Sequence, residues 1–340
     1  MSVQSRVSPR WFISQRADTL TVLVAGPLIS LALFVAIVHG PAFIIVAALF
    51  ALVLDVPHVL HTHIRLLSEP QLFRRHQLRF FASLAFIGLL CGGLYWAGAY
   101  AWLVAIWVYW QPYHVCKQHF GVASLYARKS GYRGDVRPIR DLVLSGFLAP
   151  LVYRVSHGGF HFGDYQFFGQ PLPFANIVVP TPALAPAWAW AAYALFAVAL
   201  LRLVVLQVAQ RRAGQGLPGF VLVMLGGALG LYNIAYLLVG DLYALILIGT
   251  SIHALQYHLV CASTVLQGLE RSAQQPPVGG VLGRGYRLVR HMREQRWLWV
   301  ASLGLTSLLV LSLELPSAGL VPLIVVLHHF YLDGVIWKRQ

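Results

Sequence analysis

The stretch AGLVPLIVVLHHFYLDGVIWK, Ala318 to Lys338, begins as an apolar run long enough to cross a membrane, yet its last turns carry His328, His329 and Asp333. About 20 apolar residues make a transmembrane helix. A histidine pair and a carboxylate within one are costly unless they face an interior site with a partner. Whether this is a local accident or part of a pattern decides how the rest of the chain is read.

The whole chain has the same apolar character. Of its 340 residues, 58% are hydrophobic and 11% charged, and the mean hydropathy is +0.69. These values lie well outside those of soluble globular domains. The expected fold is therefore all-α: a single polytopic membrane domain over 1–340 with about ten transmembrane helices. Apolar segments fall at roughly 18–38, 41–62, 80–98, 99–121, 141–156, 184–206, 218–239, 241–264, 297–315 and 318–337. Two connections stand out. Residues 156–182, rich in Gly, Pro and aromatics, read as an extracytoplasmic loop, and 265–296 as a basic cytoplasmic loop. The lead SVQSRVSPRWFISQRAD lacks the short apolar core and small-residue site of a cleavable signal, so it is expected to stay attached.

Orientation follows from the basic residues, which are retained on the cytoplasmic side. With ten spans and both termini inside, Arg154 alone among the 25 Lys and Arg residues falls toward the outer face. The net charge of +14 is then a topology signal, and no nucleic-acid partner is needed to explain it.

The histidines show the pattern. Nine of the fourteen lie in four six-residue windows: HVLHTH (His58, His61, His63), HVCKQH (His114, His119), HALQYH (His253, His258) and HHFYLD (His328, His329). Uniform scatter would place about one histidine there. Every window occupies the second half of an even-numbered span, so in this topology all four reach a similar depth near the cytoplasmic face. That depth is independent of the charge argument that set the topology.

Three windows share an i, i+5 spacing. In a regular helix such residues diverge by about 140°, which suits two neighbouring ions better than one. A π-bulge would bring them to one side, and Pro57 and Pro112 give two of the helices a reason to be irregular. Asp55 precedes His58 by three residues and Asp333 follows His329 by four, so each carboxylate shares a face with a histidine. The candidate ligand set is thus His58, His61, His63, His114, His119, His253, His258, His328 and His329. Asp55 and Asp333 are expected to act at the site, as metal ligands or as acceptors for the N–H of a bound imidazole. Imidazole suits iron, copper and zinc, whereas magnesium and calcium prefer oxygen. Haem ligation does not account for nine histidines. A proton or metal-ion pathway is the competing reading, though the windows lie at one depth instead of spanning the bilayer.

The four windows resemble the histidine boxes of membrane non-haem diiron enzymes: desaturases, hydroxylases and alkane monooxygenases. Those families use HxxxH and HxxHH boxes, where this chain has HxxHxH, HxxxxH, HxxxxH and HHxxxD. A second likeness, through PHVLHTH (Pro57 to His63) and FHFGD (Phe160 to Asp164), is to Brp/Blh-type carotene-cleaving membrane proteins. The first resemblance implies two irons per chain, dioxygen as co-substrate, and a lipophilic substrate entering from the bilayer. No Gly-rich dinucleotide turn or CxxC pattern is present, so electrons are expected from a ferredoxin- or rubredoxin-type partner docking on the basic inner loops. Cys91, Cys116 and Cys261 form no disulfide framework and read as small apolar fillers.

The charge pattern predicts that reporters fused after Gln340 are active only when the reporter works in the cytoplasm. Activity of a periplasmic reporter there would overturn the even span count.

Overall fold

Inside hydrocarbon a backbone must satisfy its own N–H and C=O groups, so apolar segments of this length form helices. In the computed structural model, residues 11–38, 41–68, 70–163, 166–167, 170–171, 176–273, 284, 287–288, 291, 296–312 and 319–336 are described. In chain order the helices are α1 (Gln15–Thr19), which passes through a π-helical segment (Leu20–Ala25) into α2 (Gly26–Val38), then α3 (Pro41–Phe50), a second π-helical segment (Ala51–Asp55) and α4 (Val56–Ser68). There follow α5 (Pro70–Trp96), α6 (Tyr100–Lys129), α7 (Arg137–Ser156), α8 (Ala187–Arg212), α9 (Gly219–Leu238), α10 (Leu242–Ala273), α11 (Arg296–Ser312) and α12 (Leu320–Ile336). Extended structure among the described residues is confined to a two-residue antiparallel ladder, Gln166–Phe167 with Gln170–Pro171, and single bridges at His161.

Six helices among the described residues are long and apolar enough to cross a membrane: Gln15–Ile37, Ile45–Leu66, Gln71–Trp96, Ala187–Arg212, Gly219–Leu238 and Leu242–Thr264. Leu320–Ile336 is apolar but shorter. Helices also occupy the other expected segments, as α6, α7, α11 and α12. The connection expected at 265–296 starts later, because α10 continues to Ala273; no proline interrupts the sequence before Pro276. Most of that connection lies outside the described residues.

The chain divides into two compact units. The first comprises Met1–Phe43, Gln111–Gly163 and Asn176–Leu259. Within it α7 packs on α8 and α9. Gly146 of α7 permits the close approach: a Cβ there would lie 2.8 Å from Leu229 Cδ2 and 2.9 Å from Phe196 Cε2. Polar side chains then bind the helices together, as small residues and amides do in membrane bundles. Asn233 Nδ2 donates to the Gly146 carbonyl at 3.0 Å, and Tyr193 donates its hydroxyl to Asn233 Oδ1 at 3.1 Å. At the start of α1, the buried Asp18 carboxylate accepts from the backbone N–H of Phe12, Ile13 and Ser14 and from the Tyr126 hydroxyl. Ser30 of α2 bonds Ser251 of α10.

The FHFGD element anchors the start of α10. His161 accepts the Leu242 N–H through its carbonyl oxygen at 3.0 Å, Gly163 N–H donates to the Asp241 carboxylate at 2.5 Å, and Phe160 and Phe162 are buried. Asp241 also caps the helix by accepting from Ala244 N–H at 2.9 Å. Asp164 of the same element lies outside the described residues. Of the most apolar window of α10, 89% is buried, against 17% for α8, so the polar residues of α10 face protein, while α8 exposes Trp188, Trp190, Leu195, Val198 and Leu201.

The second unit comprises Ile44–Trp110, Asp164–Ala175 and Val260–Gln340. In it α12 packs on α4 and α5, and α11 on α4. Ile87, Cys91, Leu103, Leu323, Leu327 and Phe330 form one apolar cluster, and Leu66, Phe73 and Ile336 another. These two clusters fix the rotation of α12, and with it the faces on which His328 and His329 lie.

Gly146→Val is expected to destabilise the protein by about 1–3 kcal/mol through overpacking, lowering the melting temperature in detergent. An unchanged melt would contradict the close contact with Leu229 and Phe196.

Candidate metal centre

In the second unit, histidines of α4 and α12 face one another. The π-helical segment ends at Asp55, immediately before Val56 and Pro57, and the helix is regular α from Val56 to Ser68. The irregularity expected near Pro57 is present, but it precedes the histidines. His58 and His63 therefore keep the wide divergence of regular i, i+5 residues, and each meets a different histidine of α12. The His58 ring lies across that of His329, centroids 5.0 Å apart and planes at 89°. His63 faces His328, with Nε2 3.1 Å from Nδ1. Neighbours in a helix point about 100° apart, so His328 and His329 can serve the two diverging faces of α4.

Each pair is held from behind. Asp55 Oδ1 lies 3.4 Å from His58 Nδ1. Thr62, fully buried, reaches from α4 to α12: its Oγ1 is 2.6 Å from His329 Nδ1 and donates to Asp333 Oδ1 at 2.9 Å. His63 Nδ1 is 3.2 Å from the Val59 carbonyl oxygen. His328 Nε2 is 3.2 Å from the Phe80 carbonyl oxygen and 3.1 Å from Ser83 Oγ.

In the first unit, histidines of α6 and α10 come together. Pro112 sits inside α6 without interrupting it; the segment that carries the second window is α-helical throughout. His114 and His119 both approach His253, with ring centroids 4.9 Å and 6.2 Å away. His119 also stacks on Phe147 of α7 at 5.2 Å. Gln118 donates its amide to the His253 backbone carbonyl at 2.7 Å, tying α6 to the α10 backbone at the histidine itself.

Four buried histidines, His58, His114, His253 and His329, each offer one ring nitrogen, and these atoms lie within 4.8 Å of one another. All four windows contribute one member. The other five expected ligands occupy other places: His63 and His328 face each other, His119 lies against Phe147 and His253, His61 is buried, and His258 is half-buried. Cys116 and Cys261 are buried and form no disulfide. His157, in the loop after α7, is exposed and stacks on Tyr153.

The donor chemistry fits a divalent ion of the iron, copper or zinc kind. Imidazole binds such ions as the neutral ring, and burial disfavours the charged ring. Carboxylates set behind two of the four rings, Asp55 directly and Asp333 by way of Thr62, are the supporting groups such ligands use. Thr62, Ser83 and the Phe80 carbonyl escaped the sequence reading. Thr62 lies inside the first window and could have been noticed there, but nothing local marks Ser83 or Phe80 as partners of a residue over 240 positions away.

Comparison with protein-family models, curated proteins and solved structures finds no match.

Gln replacements at His58, His114, His253 or His329 are each expected to lower metal content in detergent-purified protein, with His157→Gln unchanged as a control. Wild-type metal content in all four would sink the shared site.

Proposed function

We propose that this chain is a ten-span membrane metalloenzyme, a non-haem iron oxidoreductase that uses dioxygen on a lipophilic substrate near the cytoplasmic face of a bacterial inner membrane. The observation that carries the proposal is the group of four buried histidine nitrogens drawn from four separate helices. A transport pathway would distribute polar groups along the path of its cargo, whereas these nitrogens gather at one point. The chemistry that iron supplies when bound by such a set is activation of dioxygen and attack on an unactivated C–H bond.

The protein's own part is to bind, orient and exclude water. Asp55 and Asp333 act as orienting carboxylates on this reading. Burial of the four histidines keeps bulk water from the site, and the apolar exterior of α5 and α8 faces the phase in which an acyl chain, alkane, terpenoid or carotenoid dissolves.

Two ions per chain is the count we favour, and His63 with His328 supports it. His63 Nδ1 faces a carbonyl oxygen, which can only accept, so the ring carries its proton there. His328 Nε2 faces the Phe80 carbonyl and also Ser83 Oγ, whose own proton goes to that carbonyl. Nε2 must therefore be protonated. The two remaining nitrogens, 3.1 Å apart, then present lone pairs to each other when both rings are neutral, an arrangement that a cation between them relieves.

Electrons would come from a ferredoxin- or rubredoxin-type protein, drawn by the basic inner face. Arg284 and Arg287 on that connection are exposed.

Purified protein is expected to bind about two irons with a coupled Mössbauer signature, and to turn over only with a ferredoxin or rubredoxin and its reductase. One ion per chain would assign a shared proton to the His63–His328 pair. Turnover without external electrons would favour a carotene-cleaving dioxygenase, which needs no net reductant. Absence of any transition metal would overturn the proposal.

A further inference from the structure

Thr62 joins two residues of the proposed site and has no assigned role of its own. A threonine hydroxyl in a helix commonly bonds a carbonyl one turn back. The Thr62 hydroxyl also reaches across to α12, where it meets His329 Nδ1 at 2.6 Å and Asp333 Oδ1 at 2.9 Å. The hydroxyl, His329 and the Asp333 side chain are all buried, the last at 8% exposure.

A hydroxyl has one proton to give. In this arrangement it goes to the Asp333 carboxylate, so toward His329 the Thr62 oxygen can only accept. The short contact then requires the hydrogen to sit on His329 Nδ1, which leaves the lone pair on Nε2. Asp333 cannot impose this tautomer directly, because its nearer approach to the ring is Oδ2 at 3.9 Å from Nε2, beyond hydrogen-bond reach. We infer that Thr62 is a positioning residue: it relays the Asp333 carboxylate to His329, holds that ring as the Nδ1–H tautomer, and so makes Nε2 the nitrogen offered to the metal. The last step rests on the metal reading above; the tautomer does not. The β-branched side chain suits the task, since its side-chain rotation is restricted in a helix.

The test uses full-length protein labelled with 15N-histidine, metal-free in detergent, with His329→Gln to assign the signal. Wild type should show His329 neutral and protonated at Nδ1. Thr62→Val, of similar shape, should lose that preference, and Thr62→Ser should restore it. Asp333→Asn provides a separate arm: an amide that donates to Thr62 Oγ1 turns the hydroxyl proton toward His329 and shifts the ring to the Nε2–H form. That shift would not follow from a merely structural threonine. Titration with Zn(II) should then show affinity weakened by about 10-fold to 100-fold in Thr62→Val and recovered in Thr62→Ser. A wild-type His329 protonated at Nε2 overturns the inference, as does a signal unchanged in both Thr62→Val and Asp333→Asn. If the tautomers shift as described but wild type binds neither Zn(II) nor Fe(II), the relay stands and the metal reading falls.

Discussion

Hydrocarbon offers no hydrogen-bond partner, so a polar side chain within a membrane helix must be met by another part of the protein. Much of what is specific about this fold follows from that constraint. Asn233 is satisfied by two backbone carbonyls and a tyrosine hydroxyl, Asp18 by three backbone N–H groups and Tyr126, and Ser30 by Ser251. Apolar contacts within a membrane have little solvent-driven preference for one helix rotation over another, because lipid is as apolar as leucine. The polar pairings supply that preference, and Gly146 lets the helices that carry Asn233 and Tyr193 come close enough to form them.

The histidines obey the same constraint with more at stake. A regular α4 sends His58 and His63 to diverging faces, and adjacent positions 328 and 329 on α12 receive them separately. The i, i+5 spacing, which handicaps one helix as a chelator, becomes an advantage once a second helix presents two neighbouring rings. His114 and His119 solve the same spacing differently, both approaching the single His253. One sequence pattern thus has two structural outcomes.

The acidic residues show how sparingly charge is used. Two of the eleven acidic side chains stand beside histidines of this set. Asp55 lies directly against its histidine, whereas Asp333 works through Thr62. On the proposed reading, each carboxylate fixes which nitrogen its ring offers and offsets part of the charge of a bound cation.

Much of this was legible in the sequence because lipid imposes a simple rule. Composition and run length determined that the chain is helical and apolar enough to span a membrane, and the four windows marked the helices whose histidines come together, since a histidine in an apolar run stands out against its neighbours. The boundaries were less legible: α10 runs past the expected end of its span because the residues after 264 continue a helix as readily as they end one. Which four of nine histidines converge depended on helix rotation, set by clusters such as Leu66, Phe73 and Ile336 whose apolar residues are interchangeable to a sequence reader. Only the tertiary structure could decide that Thr62 would stand between Asp333 and His329, 271 and 267 positions away. A hydroxyl gives no sign of its partner until two helices are packed at one rotation, and that rotation belongs to the whole bundle.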